Sequence, residues 1–336
     1  LNRYYIFDLS VYFLTPDQQL LPLYKEYLFI RMIGLPAGLL NIVFLGWFFG
    51  MQKTKSVMLQ LVIINLMNVF ASLYLAVYLE YGIFGVALGS VLAQISGLLL
   101  SVIIFLNHFK TLNFSSFDLK KILNLNGFLN LFSISKNLFV RTMILVSVQA
   151  YLIKKSGLIG VDQLATMEIL IVIFGLSSYT LDAFAHAAES TVGVSIGSKN
   201  KKNIYKSIKN TTEFALTFSV LIGIALYITD YYIINLFTDI SILQDLTIDL
   251  WSLVIITPFI SMLAFQLDGI FIGATLAKEM RNSMILSSLI FYLVIEFIIQ
   301  DTLNLKNLYS CFLSFLILRG VFLTFYLPRV FKLIKN

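Results

Sequence analysis

Long apolar stretches constrain the possible folds of this chain more than any other feature of its sequence. A helix needs about 20 predominantly apolar residues to cross a bilayer core of about 30 Å, with every backbone group bonded internally. Nine such stretches occur, at residues 27–49, 57–79, 83–106, 128–153, 164–194, 212–234, 246–274, 283–300 and 307–328. They predict an all-α polytopic membrane protein with nine transmembrane helices. The shorter apolar run at 3–14 would be the tail of an earlier span.

The composition agrees with a lipid environment. Of the 336 residues, 59% are hydrophobic and only 12% are charged, whereas about 25% of the residues in a soluble domain are charged. The net charge of +6 comes from short basic clusters between the apolar runs. This pattern is typical of the cytoplasmic loops of membrane proteins and not of a surface that binds nucleic acid. We therefore expect membrane lipid as a partner and no nucleic acid.

The lysines and arginines between the spans predict the orientation of the chain. Every second loop and the carboxy-terminal tail together contain fifteen basic residues, and the other loops contain four. The first group is Lys53, Lys55, Lys110, Lys120, Lys121, Lys199, Lys201, Lys202, Lys206, Lys209, Lys278, Arg281, Arg329, Lys332 and Lys335; the second is Lys25, Lys154, Lys155 and Lys306. Because basic residues collect in cytoplasmic loops, we expect a cytoplasmic carboxy terminus and a location in the bacterial cytoplasmic (inner) membrane.

Two distant segments resemble each other. Each has a proline near the outer end of a span and two glycines four positions apart near its inner end: Pro36, Gly46 and Gly50, and then Pro258, Gly269 and Gly273. Small residues at this spacing allow helices to approach closely in lipid, and parallel repeats are common in transporters. The offset of 223 positions between Gly50 and Gly273 predicts a repeat of that length. On this basis the first half lacks about three spans, so we expect an amino-terminally truncated chain.

Seven short motifs occur along the chain: IRMIGLPA at 30–37, LGWFFGMQ at 45–52, NLMN at 65–68, GVALGS at 85–90, LDAFAHAAE at 181–189, LDGIFIGAT at 267–275 and EMRN at 279–282. Together they resemble motifs of the multidrug and toxic compound extrusion (MATE) family, in particular its DinF-like branch. The resemblance implies two six-helix lobes that face a central cavity, with substrate expelled as protons or sodium enter. This chain would supply a partial amino-terminal lobe at 1–110, a cytoplasmic linker at 111–127 and a carboxy-terminal lobe of six helices at 128–336.

The resemblance also implies a polar cluster in the amino-terminal lobe. Asn68 and Ser90 keep the expected polar side chains, but an acidic position of the family is Ser72 here. The acidic residue that the family carries on its first helix would fall in the part expected to be missing. The amino-terminal lobe of this chain therefore departs from the family where ion coupling is expected.

Ionisable side chains inside the spans are the other candidates for function, because each costs about 2.5–3.5 kcal/mol at a helix centre on insertion scales. Asp182, His186 and Glu189 share one helical face by their spacing, while Asp268 and Arg141 lie in two other spans. We expect all five to point into the interior of the carboxy-terminal lobe. There the carboxylates would exchange a proton or coordinate sodium.

Structural interpretations of three of these groups stay open. Arg141 keeps its proton and is favoured as a permanent partner of one carboxylate. His186 would relay protons or form a structural hydrogen bond, and Glu189 would act in coupling or be a solvated charge near the interface. Arg319 is assigned to the end of its span, where we expect its side chain to snorkel.

Other classes of function lack their motifs. The sequence has no GxxxxGK[ST] segment for nucleotide binding and no HExxH or Cys/His cluster for a catalytic metal. We therefore expect no enzymatic activity, no catalytic residue, no cofactor and no metal apart from Na⁺ as one of two alternative coupling ions, the other being H⁺.

Together these observations predict a monomeric secondary antiporter. It would export organic, cationic amphipathic small molecules in exchange for H⁺ or Na⁺ by rocking alternating access. One alternative is a lipid-linked oligosaccharide flippase of the same superfamily, which would need a more cationic cavity than Arg141 alone provides. The other is a non-transporting truncated membrane remnant.

The orientation is testable by cysteine accessibility in whole cells. In a Cys311→Ser background, Lys206→Cys is expected to react with a membrane-impermeant maleimide only after permeabilisation, because residue 206 lies in the predicted cytoplasmic group. Lys306→Cys is the matched control and should react in intact cells. Labelling of residue 206 in intact cells would show that the chain has the opposite orientation to the one predicted.

Overall fold

The computed structural model describes residues 2–14, 19–109 and 125–333, and every regular element in these ranges is helical. The helices are α1 (Asn2–Leu14), α2 (Leu21–Gly50), α3 (Thr54–Leu73), α4 (Gly82–Phe109), α5 (Leu125–Ile159), α6 (Val161–Gly197), α7 (Lys201–Ile228), α8 (Asp230–Phe237), α9 (Ser241–Gly273), α10 (Ala277–Phe297) and α11 (Leu305–Lys332). A π-helical turn at Tyr74–Tyr78 continues α3, and a 3-10 turn at Gln300–Thr302 precedes α11. Residues 111–124 of the predicted linker, with Lys110, Lys120, Lys121 and Lys335 of the basic group, lie outside the described residues.

Within the described residues, nine helices are long and apolar enough to cross a membrane. This confirms the predicted fold class. The largest difference is at α7, which begins at Lys201 although its apolar run suggested a start near residue 212. The side chain of Asn200 caps this helix by accepting a hydrogen bond from the amide of Asn203 at 3.1 Å. Lysine is a good helix former, so the basic segment continues the helix beyond the hydrophobic part.

The chain divides into two compact units, Leu1–Asp118 and Leu119–Asn336. In the first unit, α2 and α3 both pack against α4. Polar side chains connect these helices: Asn41 donates to the carbonyl oxygen of Gln94 at 2.8 Å and to its Oε1 at 2.9 Å. Gln60 donates to the carbonyl oxygen of Asn41 at 3.0 Å. These uncharged groups satisfy each other inside an apolar bundle.

In the second unit, α9 is the central helix. It packs against α6, α7 and α11, while α10 packs against α5 and α11. Trp251 on α9 donates its indole hydrogen to the carbonyl oxygen of Leu226 at the end of α7, at 3.0 Å. The position of α9 matters for function because it carries Asp268 into the middle of this unit.

The glycine pairs of the two similar segments have different surroundings. A Cβ atom added to Gly269 would meet the backbone of Ala185, and one added to Gly273 would meet the backbone of Glu189, so α6 and α9 cross in close contact. By contrast, no described atom lies within 4 Å of a Cβ built at Gly46 or Gly50. Among the described residues, the small pair therefore serves helix packing only in the second segment.

Gly269→Ala is expected to destabilise the second unit by about 1–3 kcal/mol, because the added methyl group would collide with the backbone of α6. Gly175→Ala on α6 is the matched control, since its Cβ would enter open space and alanine favours the helix. Thermal unfolding in detergent measures both. Equal midpoints for the two variants would contradict the close crossing.

Candidate functional site

Asp268 lies at the centre of the second unit and connects three helices. It is 5% exposed on α9, and its Oδ2 accepts a hydrogen bond from the guanidinium of Arg141 on α5 and another from that of Arg319 on α11. Both contacts are ion pairs. The favoured structural role of Arg141, as a partner of one carboxylate, agrees with this geometry.

The prediction that Arg319 snorkels from the end of its span is wrong. The residue lies near the middle of α11, is 2% exposed and has its guanidinium carbon 5.5 Å from the centre of the Phe265 ring. Its carbonyl oxygen also accepts a hydrogen bond from Ser283 of α10 at 2.9 Å. The position of this residue could have predicted its burial, because residue 319 lies near the middle even of the span predicted at 307–328.

The charges within the buried cluster of Arg141, Arg319 and Asp268 do not cancel. It contains two guanidinium groups and one carboxylate, and the Nε atoms of both arginines and Oδ1 of Asp268 have no hydrogen-bond partner within the described residues. A net positive charge in a low-dielectric interior requires compensation. Asp182 on α6 is a candidate for this role: it accepts no hydrogen bond from either arginine, but its carboxylate would offset their charge when it is ionised.

Asp182 belongs to the row of ionisable residues that the sequence placed on one face of α6. His186 and Glu189 form a contact within this row, with Nδ1 of the histidine 3.2 Å from Oε2 of the glutamate. Their side chains are 48% and 32% exposed. Of the five residues expected in the interior, the structure buries Asp268 and largely buries Arg141, whereas His186 and Glu189 lie on an accessible face. Asp182 is intermediate between the two groups.

The polar cluster of the first unit joins α3 to α4. Asn68 donates to Oγ of Ser90 at 2.9 Å, and Ser90 donates to the carbonyl oxygen of Val86 at 3.1 Å. Ser72 makes a longer contact of 3.5 Å with the same carbonyl oxygen. These three side chains carry no charge. Within the described part of the chain, no group of three or more His, Cys, Asp or Glu residues is arranged to bind a metal ion.

Comparison with known proteins agrees with the fold and with the sequence motifs. Residues 138–298 match the MatE family model. DNA damage-inducible protein F of Escherichia coli strain K12 is 27% identical over 316 residues, which are 94% of this chain and 68% of that protein. Protein DETOXIFICATION 43 of Arabidopsis thaliana is 24% identical over 276 residues, 80% of this chain and 49% of the relative.

Solved structures of MATE transporters share the fold. A mutant of the Vibrio cholerae MATE transporter VcmN superposes with a TM-score of 0.89 at 13% identity, over 99% of this chain and 77% of that one. A MOP superfamily transporter from Pyrococcus furiosus superposes with a TM-score of 0.82 at 15% identity, over 99% of this chain and 75% of that one. At such low identity, the likeness concerns the fold.

Asp268→Asn is expected to destabilise the fold by about 3–5 kcal/mol, because it leaves two buried guanidinium groups without their carboxylate. Glu213→Gln is the matched control. It removes one carboxylate from an exposed pair with Lys209, whose charged atoms are 3.7 Å apart, and should cost less than about 0.5 kcal/mol. Unfolding in detergent distinguishes the two, and a similar small cost for both would contradict a structural role for Asp268.

Proposed function

Because residues 138–298 match the MatE family model and the chain resembles the DinF-like branch of that family, we propose that it is a MATE-type secondary antiporter that exports organic compounds in exchange for H⁺ or Na⁺. The observation that supports this proposal is the position of Asp182, a partly accessible carboxylate one turn before Ala185, whose backbone lies against Gly269 next to Asp268. Such a group is able to exchange an ion with an aqueous cavity while it interacts electrostatically with the charged groups inside the lobe.

Asp182 is the carboxylate that loads and releases the coupling ion. Asp182 is half-buried, and the charged groups that act on it are His186, Arg319 and Arg141, so its surroundings decide whether it holds an ion. An ion bound to Asp182 cancels the compensation of the arginine pair. Loading therefore changes the electrostatics of the whole cluster, which is what coupling requires.

Asp268 has a different role in this proposal. Its two partners keep their protons, and each donates to the same carboxylate oxygen. Removing the charge of Asp268 would break both direct ion pairs and leave only Asp182 to offset two buried arginines, which is more costly than neutralising Asp182. Asp268 is accordingly a fixed counter-ion that positions the arginines.

The accessible face of α6 supports a cationic amphipathic substrate. Tyr179, three residues before Asp182, is 75% exposed, and Asp182, His186 and Glu189 follow on the same stripe. Ionisable side chains face water or protein and not hydrocarbon, so this stripe would border an aqueous cavity. An exposed aromatic ring beside carboxylates attracts an organic cation through its face and through its charge.

A second candidate is a flippase for anionic, lipid-linked substrates. The observation that favours it is the second buried arginine, Arg319, which makes the lobe more cationic than the sequence suggested. A pocket of reverse polarity is what sets apart the Pyrococcus furiosus relative. Against this candidate, Asp268 and Asp182 together balance the charge of the two arginines, so the cluster attracts an anion only when Asp182 is neutral.

The setting of the transporter completes the proposal. The chain is an integral membrane protein, and the distribution of basic residues supports a cytoplasmic carboxy terminus in the bacterial inner membrane. We propose that it works as a monomer, with membrane lipid and the small-molecule substrate as its only partners.

Asp182→Asn is expected to abolish ion-driven efflux of ethidium, a flat organic cation, from proteoliposomes containing the full chain. The amide cannot be ionised, so no proton or sodium gradient can act through it. Asp162→Asn is the matched control, because Asp162 is exposed in the first turn of the same helix, and it should keep wild-type rates. Unfolding midpoints establish that both variants fold.

Two results would contradict the assignment. Efflux at the wild-type rate by folded Asp182→Asn would show that Asp182 does not carry the coupling ion. Uptake of an anionic lipid-linked substrate by wild type, together with no movement of ethidium, would favour the flippase.

A further inference from the structure

We infer that a groove between the start of α7 and the end of α11 binds an anionic phospholipid. The groove has a volume of about 440 Å³ and is lined by Lys201, Thr324, Leu327, Pro328, Phe331 and Lys332. It lies within the second unit and is separate from the cluster around Asp268. Its lining combines an apolar body with two ammonium groups.

The two lysines are available to bind a negative group. Both Lys201 and Lys332 are exposed, and neither forms an ion pair with a described residue. Arg329, one turn before Lys332, shows the contrast: its Nη1 lies 2.6 Å from Oε1 of the buried Glu279. The fold thus neutralises one basic residue at the end of α11 and leaves the lysines beside the groove uncompensated.

Backbone groups give this groove both a partial positive charge and a hydrogen-bond acceptor. Lys201 is the first residue of α7, so the positive end of the helix dipole faces this site, although Asn200 caps the amide of Asn203. On the other side, Pro328 has no amide hydrogen to donate to the carbonyl oxygen of Thr324 within α11. That oxygen therefore lacks its usual helical donor and would be able to accept a hydrogen bond from a hydroxyl group, such as those of a glycerol headgroup.

The apolar lining identifies the occupant as a lipid and not a free phosphate ion. Leu327 and Phe331 are partly buried in the groove, next to the membrane-spanning part of α11. Acyl chains would lie against these side chains while the phosphate contacts the lysines. With the orientation proposed above, the groove lies on the cytoplasmic side, where anionic lipids attract basic residues. Phosphatidylglycerol meets all of these requirements.

Native mass spectrometry of the detergent-solubilised full chain tests this inference. The probes are phosphatidylglycerol and phosphatidylcholine with identical acyl chains. Wild type should retain phosphatidylglycerol selectively, and the double variant Lys201→Gln/Lys332→Gln should bind it on the order of thirtyfold more weakly, at about a fivefold loss for each lysine. The matched control Lys55→Gln/Lys278→Gln removes the same charge from exposed sites outside the groove and should bind as wild type does.

Three outcomes would overturn the inference. The first is equal retention of the two lipids by wild type, and the second is an equal loss in both double variants, which would indicate a non-specific charge effect. The third is displacement of phosphatidylglycerol by excess inorganic phosphate, which would make the groove a phosphate site. The lipid-retention assay does not depend on transport. Its result therefore remains interpretable even if the protein proves not to be an antiporter.

Discussion

The structure depends on one buried carboxylate that is shared by two arginines. Charged groups in the interior of a membrane protein persist only when they are paired, and Asp268 pairs with both Arg141 and Arg319. These residues come from α9, α5 and α11, so two ion pairs to a single carboxylate connect three helices that are distant in sequence. Two arginines and one carboxylate carry a net positive charge, so a fourth, negatively charged group is needed to compensate it.

Helix packing brings that fourth group into range. Gly269 follows Asp268 directly, and the absence of its side chain lets α9 approach the backbone of Ala185 on α6. Asp182 lies one turn before Ala185, so the close crossing places it within electrostatic reach of the arginines. A small residue next to a charged one therefore permits the crossing that brings α6, with its own carboxylate, close to the arginine cluster.

The sequence predicted the parts of this arrangement that follow from the cost of entering lipid. The nine apolar runs correspond to the nine helices of the described residues that are long and apolar enough to cross a membrane, and the cost of burying charge identified Asp182, Asp268 and Arg141 as candidates. It did not identify their partners, because pairing depends on how helices cross, and Arg319 was mistaken for an interfacial residue. The network of Asn41, Gln60 and Gln94 was missed altogether, since uncharged amides inside a span cost much less and do not interrupt an apolar run.

In the proposed mechanism, Asp268 keeps its charge while Asp182 gains and loses the coupling ion. Measuring the protons and sodium ions that purified protein releases when it binds ethidium in detergent tests this division. Wild type should release ions, whereas Asp182→Asn should bind ethidium without ion release. Release of as many ions by Asp182→Asn as by wild type would place the exchangeable ion elsewhere and contradict this division of roles.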